Sequence, residues 1–338
     1  MATKVVSPTN GVFSPRGSMN NMKMKRGCSP RNAKKNQTDD LIRQANEALS
    51  PRDDEIALVE IDPSELQYCK KVGSGCTAEV FRGFWREQEV AIKQIDWNKS
   101  NMGRAEQRAF DREVAIMAQT DNPYLVRLLG IASAQRPLRV ITEYCAGGCL
   151  FELLHNCDHV ELAWPQQLKM CKDVAIAMDY LHKFTPQIIH RDLKSLNLLL
   201  LNPIVSEKDV PHVKVSDFGL ARMKEIGNAE WGKMTIAAGT CHWMAPEVFT
   251  GNRYDEKVDI YSYSMILFEI ICQEIPFEDE EPAGVQRLAS VGIRPDLEAV
   301  PPDCPETLRE LMITSWNADP KQRPPFDTIV ALLHTVVV

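Results

Sequence analysis

The stretch His190-Arg191-Asp192-Leu193-Lys194-Ser195-Leu196-Asn197, followed later by Asp217-Phe218-Gly219, decides how this chain of 338 residues is interpreted. Phosphoryl transfer needs one carboxylate to orient the attacking hydroxyl, a carboxylate and an amide to hold magnesium, and a lysine to steady the transferred phosphate. Asp192, Asp217, Asn197 and Lys194 supply those groups in that order. A pattern of this length does not arise by accident, and it predicts a phosphoryl-transfer site.

A stretch with two glycines, Val72–Val80, lies between two strand-like runs. Gly73 and Gly75 allow backbone N–H groups to approach phosphate oxygens closely. Ala78 stands where a full G-x-G-x-x-G pattern has its third glycine, and its methyl group is expected to reduce the flexibility of the loop rather than binding. Such patterns also occur by chance, so the stretch supports the prediction of a phosphate site without carrying it.

Lys93 ends the apolar run Val90–Ile92. A lysine at the end of a buried strand needs an anion, because a buried ammonium group is costly without one. The expected anions are the α- and β-phosphates of a nucleotide and a carboxylate from a helix. Glu113, in the helical stretch 104–119, is the candidate carboxylate; the alternative is that it makes a surface salt bridge.

The order of the periodic segments predicts the fold class. Strand-like runs cover residues 66–72, 79–85, 89–95, 126–132 and 138–143, and long helical stretches cover 104–119, 164–183 and 258–272. A β-rich half followed by a mostly helical half is an α+β arrangement in two lobes.

Residues 1–38 contain eight Lys or Arg and no acidic residue, whereas the whole chain has a net charge of −7. Their polar, non-periodic composition predicts disorder. We therefore expect a disordered basic tail over 1–60, with a short helix within 39–49, and a folded domain over 62–335. A basic tail can bind an acidic partner or remain solvated. Nucleic-acid binding is not expected, because interleaved aromatic residues and a binding fold are lacking.

The sequence has no apolar run near the roughly 18 residues that a membrane span requires, and it begins without an apolar signal segment. Its ten cysteines show no close pair at metal-binding spacing. Cysteines of this kind are expected to be reduced thiols. Together these features predict a cytoplasmic protein without a membrane span.

The region from about Asp62 to His334 resembles the eukaryotic protein kinases, and within them the tyrosine-kinase-like group near the Raf-like and mixed-lineage MAP kinase kinase kinases. Beyond the stretches above, the likeness rests on the run from Gly239 to Glu247 and on Arg323-Pro324. It implies a two-lobed kinase fold with an N-lobe over 62–145 and a C-lobe over 146–335. It also implies transfer of the γ-phosphate of ATP, with Mg²⁺, to protein substrates.

The resemblance also implies roles for individual residues. Lys93 would contact the α- and β-phosphates and pair with Glu113 in the active enzyme. Asp192 would be the catalytic base, with Lys194 beside it, and Asn197 and Asp217 would be the metal ligands. The nucleotide would be bound by the gatekeeper Thr142 and by the hinge backbone of Glu143 and Cys145. The side chains around the adenine would be those of Val80, Ala91 and Leu199. The glycine loop would contribute Val72, Gly73, Ser74 and Gly75.

Two structural roles follow from the same resemblance. Glu247 and Arg323 would form a buried ion pair, and Asp259 would brace the catalytic loop. Lys194 and Thr240 match positions in serine/threonine kinases and favour Ser/Thr acceptors, with tyrosine or dual specificity left open.

Regulation is expected in the activation segment, residues 217–247. Arg191 would pair with a phosphate there, and Thr235 is the expected site for an upstream activating kinase. The alternative to an active enzyme is a pseudokinase scaffold that binds ATP without transfer. The complete set of Lys93, Glu113, Asp192 and the two metal ligands favours the enzyme.

Three further features are interpreted on the surface and in the nucleotide pocket. Residues 202–212 are expected to form a lengthened surface turn. The acidic run 278–281 is either a solvated loop or a docking site for basic peptides. Cys76 and Cys145 would line the nucleotide pocket as candidate sites of oxidation or alkylation, if the pKa of either thiol is lowered.

Overall fold

The computed structural model of the chain describes residues 59–74, 78–95, 104–157, 160–218, 221–223, 241–249 and 254–338. Outside these residues lie 1–58 of the predicted tail, Gly75 and Cys76 of the glycine loop, and Thr235 and Thr240 of the activation segment.

The N-terminal part of the described chain is an antiparallel sheet of five strands with one helix against it. The strands pair in the order β1-β2-β3-β5-β4. Their bounds are β1 (Leu66–Ser74), β2 (Ala78–Trp85), β3 (Gln88–Ile95), β4 (Leu128–Ala132) and β5 (Leu138–Glu143), and the helix is α1 (Arg104–Gln119).

Alternation along β3 assigns its side chains to two faces of the sheet. Val90 and Ile92 are fully buried in a cluster on one face. Ile95 belongs to a second cluster with Phe110 and Val114 of α1. Lys93 has the same parity as Ile95, so the strand directs Lys93 toward the helix that carries Glu113.

The C-terminal part is mostly helical and surrounds one long helix. Helix α5 (Lys257–Cys272) is mostly apolar and is buried from Val258 to Ile271 with no exposed stripe, as expected for a helix in the core of a lobe. Helices α3, α7 and α8 pack around it or against one another. The helices of this part are α2 (Leu150–His155), α3 (Trp164–Lys183), α4 (Pro246–Phe249), α5 (Lys257–Cys272), α6 (Pro282–Ser290), α7 (Glu306–Ser315) and α8 (Phe326–Thr335).

Two short antiparallel strand pairs flank the catalytic loop in the chain. Strand β6 (Ile188–Ile189) pairs with β9 (Arg222–Met223), and β7 (Leu198–Leu200) pairs with β8 (Val213–Val215). The catalytic-loop stretch 190–197 runs from β6 to β7. Its position between these two strands is what brings the predicted site residues together.

The structure confirms the predicted α+β fold with two lobes. Three strands are one or two residues longer than predicted, and one is shorter: the predicted strand 126–132 begins only at Leu128. Val126 instead donates its N–H to Val215 O at 3.0 Å, while Val215 donates to Tyr124 O at 2.8 Å. The first residues of the predicted strand therefore join the C-terminal part to the sheet.

The lengthened turn at 202–212 is present and mostly exposed. It is held by hydrogen bonds within the turn and by others from helix α3. Asp209 accepts hydrogen bonds from the N–H groups of Val205 and Ser206. The Gln166 amide on α3 donates to the carbonyl oxygens of Ser206 and Asp209. The extra residues thus form an ordered surface feature.

Candidate active site

The first residues of the catalytic loop are held by Asp259 of α5. Its Oδ2 accepts from the N–H of His190 at 2.9 Å, and its Oδ1 accepts from the N–H of Arg191 at 2.8 Å. Burial acts to raise the pKa of this carboxyl, but the hydrogen bond and charge of His182 and the charge of His190 outweigh burial, so the pKa is lowered. The expected bracing by Asp259 is confirmed.

The middle of the loop places a lysine and an amide on the Asp192 carboxylate. Lys194 Nζ lies 3.0 Å from Oδ1 and 2.9 Å from Oδ2. Asn197 Nδ2 donates to the backbone oxygen of Asp192 at 2.8 Å and to its Oδ2 at 3.1 Å. Because Nδ2 faces Asp192, the other end of the amide, Oδ1, is the atom that Asn197 can offer to a metal ion.

Asp217 is joined to the same loop through the residue before it. Ser216 donates from both its N–H and its Oγ to Asn197 O, each at 2.9 Å. Phe218 is fully buried, and its ring lies 5.5 Å from that of His190. Asp217 itself has φ of 62° and a side chain that is 48% exposed. This conformation turns the carboxylate out of the core while the next side chain stays in it.

Lys93 connects the sheet to both carboxylates. Its Nζ lies 2.6 Å from Glu113 Oε1 and 3.9 Å from Asp217 Oδ1. Burial acts to lower the pKa of Lys93, but the attraction of the two carboxylates outweighs burial and the pKa is raised. The ammonium is therefore charged at neutral pH and is available to an anionic ligand. The surface salt bridge considered for Glu113 is wrong, since the Glu113 side chain is 9% exposed.

The predicted adenine-binding side chains lie on paired strands. Val80 is opposite Lys93 across β2 and β3, and Ala91 is opposite Thr142 across β3 and β5. Leu199 of β7 forms a bridge with Cys149. The side chains predicted to surround the adenine are all half-buried: Val80, Ala91, Thr142 and Leu199. In the glycine loop, Val72 and Ser74 are exposed. Gly73 lies opposite Val80 across β1 and β2.

The hinge presents backbone groups after β5. The N–H of Glu143 donates to Arg127 O at 3.0 Å. The carbonyl oxygen of Glu143 accepts from Thr142 Oγ1 at 3.2 Å and can accept a second hydrogen bond from a ligand. Within the described residues, the N–H of Cys145 has no hydrogen-bond partner. One acceptor and one donor two residues apart suit the edge of an adenine base.

The donor set fits magnesium and a nucleotide triphosphate. Asp217 and Asn197 offer two oxygen ligands, and Mg²⁺ commonly binds one or two protein oxygens and takes its other ligands from water and phosphates. No group of three or more His, Cys, Asp or Glu that could hold a metal ion by itself occurs in the described parts of the chain. Lys93 supplies the positive charge that phosphates require.

Two carboxylates next to the site were not predicted from the sequence, one of them partly buried and the other fully buried. The Glu143 side chain pairs with Lys214 of β8 at 2.8 Å, although only its backbone was assigned a role. Glu269 of α5 is fully buried and accepts hydrogen bonds from three segments. The acidic residues of apolar stretches were the available signal, since a carboxylate buried in a helix core requires partners.

Comparison with known proteins identifies the family. Residues 66–333 match the family described as "Protein tyrosine and serine/threonine kinase". The chain belongs to the protein kinase family. This match covers most of the chain, and the fold and catalytic geometry described above agree with it.

Relatives of the kinase domain include "Serine/threonine-protein kinase VIK" of Arabidopsis thaliana, which is 37% identical over 82% of this chain and 62% of its own length. "Serine/threonine-protein kinase TNNI3K" of Rattus norvegicus is 37% identical over 80% of this chain and 31% of its own length. "Mitogen-activated protein kinase kinase kinase 7" of Drosophila melanogaster is 32% identical over 84% of this chain and 39% of its own length. The chain thus spans less than two thirds of the length of these relatives. The expected resemblance to the tyrosine-kinase-like group, near the MAP kinase kinase kinases, is confirmed.

The kinase domain also contains the expected ion pair between Glu247 and Arg323. Arg323 Nη1 and Nη2 donate to the two Glu247 carboxylate oxygens at 2.6 and 3.0 Å. Arg323 is fully buried and donates further to the backbone of Asn317 and Lys257. The pair ties α4 to the segment before α8.

Among the described helices, none combines the length and apolar character needed to cross a membrane.

Proposed function

We propose that this kinase domain transfers the γ-phosphate of ATP, in the presence of Mg²⁺, to serine or threonine hydroxyl groups of other proteins. The observation that carries the proposal is the joining of Lys93, Glu113 and Asp217 by charge, and of Asp192, Lys194 and Asn197 by hydrogen bonds, around one site. The proposal includes a kinase domain over residues 62–335.

The side chains would act as follows. Lys93 would hold the α- and β-phosphates, and Glu113 would keep the Lys93 ammonium in place. Asp192 would accept the proton of the attacking hydroxyl, while Lys194 would stabilise the negative charge on the transferred group. Asn197 and Asp217 would hold Mg²⁺, which supplies neutralisation of phosphate charge when it is bound.

The proposed acceptor specificity is supported by the position of Lys194 beside Asp192 and by relatives named as serine/threonine kinases. One relative, from Dictyostelium discoideum, is named "Dual specificity protein kinase splA" and is 36% identical over 81% of this chain and 12% of its own length. Serine and threonine are therefore the proposed acceptors, and tyrosine is tested in the same assay.

The relative named as a MAP kinase kinase kinase supports a place in a phosphorylation cascade. The location that we propose for this cascade is the cytoplasm. In such a cascade the protein substrates would themselves be kinases, and an upstream kinase would phosphorylate Thr235. We propose that Arg191, which is buried and has a positive φ, forms an ion pair with that phosphate.

The assay is transfer of labelled phosphate from ATP with Mg²⁺ to a generic protein substrate, followed by phosphoamino-acid analysis. Asp192→Asn is expected to abolish transfer, whereas Asp121→Asn, a change at an exposed aspartate, is expected to preserve it. Transfer to Ser and Thr that depends on Asp192 supports the proposal. ATP binding without transfer, even after treatment with activating kinases, would favour the pseudokinase scaffold.

A further inference from the structure

Glu269 of helix α5 is a buried carboxylate at which three segments of the C-terminal lobe meet. Ser195 Oγ of the catalytic loop donates to its Oε1 at 2.6 Å. The ring of His155, at the end of α2, lies 3.1 Å from the same oxygen. The indole N–H of Trp243 donates to Oε2. Both Ser195 and Glu269 have an exposed fraction of 0%.

The position of Ser195 in the catalytic loop gives this contact its meaning. Ser195 directly follows Lys194, which holds the Asp192 carboxylate, and it precedes Asn197, which also donates to Asp192. Asp259 fixes the beginning of the loop at residues 190 and 191. The Ser195 hydrogen bond to Glu269 fixes its second half on the same helix.

A hydrogen bond from a hydroxyl to a buried carboxylate is stronger than one between neutral groups, and it is short here. It therefore limits the movement of the backbone between Lys194 and Asn197. Small displacements of groups in a phosphoryl-transfer site lower the rate, because the reaction depends on their placement.

We propose that Glu269 is a positioning residue for phosphoryl transfer, acting through Ser195 to keep Lys194 and Asn197 on the Asp192 carboxylate. This inference rests on the proposed function. It assigns Glu269 no contact with ATP or with the protein substrate.

The test compares Ser195→Ala, Glu269→Gln and the double variant in the transfer assay. Ser195→Ala is expected to lower kcat about tenfold, while the Kd and KM for ATP stay within about twofold of wild type, because the nucleotide contacts are elsewhere. The losses in kcat are expected to be non-additive, with the double variant losing less than the product of the two single losses, because Ser195 and Glu269 share one hydrogen bond.

Ser264→Ala is the matched control. Ser264 is also fully buried, and its hydroxyl donates within α5 to Tyr261 O at 2.6 Å. It is expected to lower thermal stability less than Ser195→Ala does, because its hydrogen bond joins two neutral groups, and to leave kcat unchanged. This control separates the loss of a buried hydrogen bond from the loss of loop position.

The inference is overturned if folded Ser195→Ala has the kcat of wild type, or if its loss of kcat is matched by Ser264→Ala or by weaker ATP binding. An active wild type with a fully active Ser195→Ala overturns this inference alone. A wild type that transfers no phosphate overturns the proposed function, and this inference with it.

Discussion

The Lys214 ammonium lies 2.8 Å from the Glu143 carboxylate, and this ion pair joins the strand that leads to Asp217 to the strand that ends at the hinge. Lys214 Nζ also lies 3.3 Å from Leu125 O, and the same carboxylate oxygen of Glu143 accepts from the N–H of Arg127 at 2.8 Å. The strand before the predicted metal ligand Asp217 and the hinge that is predicted to bind adenine are thus linked by side chains.

Lys214→Met is expected to lower the free energy of unfolding by about 3 kcal/mol, because it leaves a largely buried carboxylate without its cation. Denaturant unfolding measures this loss. Lys70→Met, at an exposed lysine, is the control and is expected to change stability by less than about 0.5 kcal/mol. Adding Glu143→Gln to Lys214→Met is expected to restore part of the loss; equal stability of the single and double variants would contradict this account.

Arg323→Lys is expected to lower Tm by several degrees despite keeping the charge. Arg323 donates to both oxygens of Glu247 and to two backbone carbonyls, and a lysine cannot reproduce this planar arrangement. A thermal unfolding scan measures the shift. Glu247→Gln is expected to destabilise in the same direction, with Glu310→Gln, at an exposed glutamate, as the neutral control. A Tm for Arg323→Lys equal to wild type would show that charge alone holds the pair.

The stabilisation by Asp259 is expected to depend on pH. Its pKa is lowered in the folded protein, so its contribution is present above the unfolded-state pKa of about 4 and is lost as pH falls through the folded-state value. The difference in free energy of unfolding between wild type and Asp259→Asn should therefore be largest near neutral pH and shrink below about pH 4. A difference that stays constant across this range would contradict the lowered pKa.

Cys145 is expected to resist alkylation, although it was a candidate for such reaction. Burial raises the pKa of its thiol to about 12, with a smaller contribution from the Glu143 charge. The reactive thiolate is then scarce at neutral pH. Brief treatment of the native protein with iodoacetamide, followed by peptide mass analysis, should label the exposed Cys69 well before Cys145. Faster labelling of Cys145 would show that the hinge opens to expose it.

Local patterns predicted much of this structure because its strands and helices bury one face at a regular period. The apolar run Val90–Ile92 indicated the strand, and the lysine that ends it indicated a buried ammonium group in need of an anion, for which Glu113 of the following helix was the candidate. The Glu143 side chain and Glu269 were missed because their partners, Lys214 and Ser195, are 71 and 74 residues distant along the chain. No periodicity encodes such pairings; they depend on how segments far apart in the sequence pack together in the folded chain.

Helix α5 is buried on all sides and holds the catalytic loop through Asp259 and Glu269. Amide protons in a helix of this kind exchange with solvent deuterium only when the surrounding lobe unfolds as a unit. We therefore expect residues 258–271 to be among the last to take up deuterium. Since the loop is bonded to these slowest-exchanging turns, its geometry should persist for as long as the C-terminal lobe is folded.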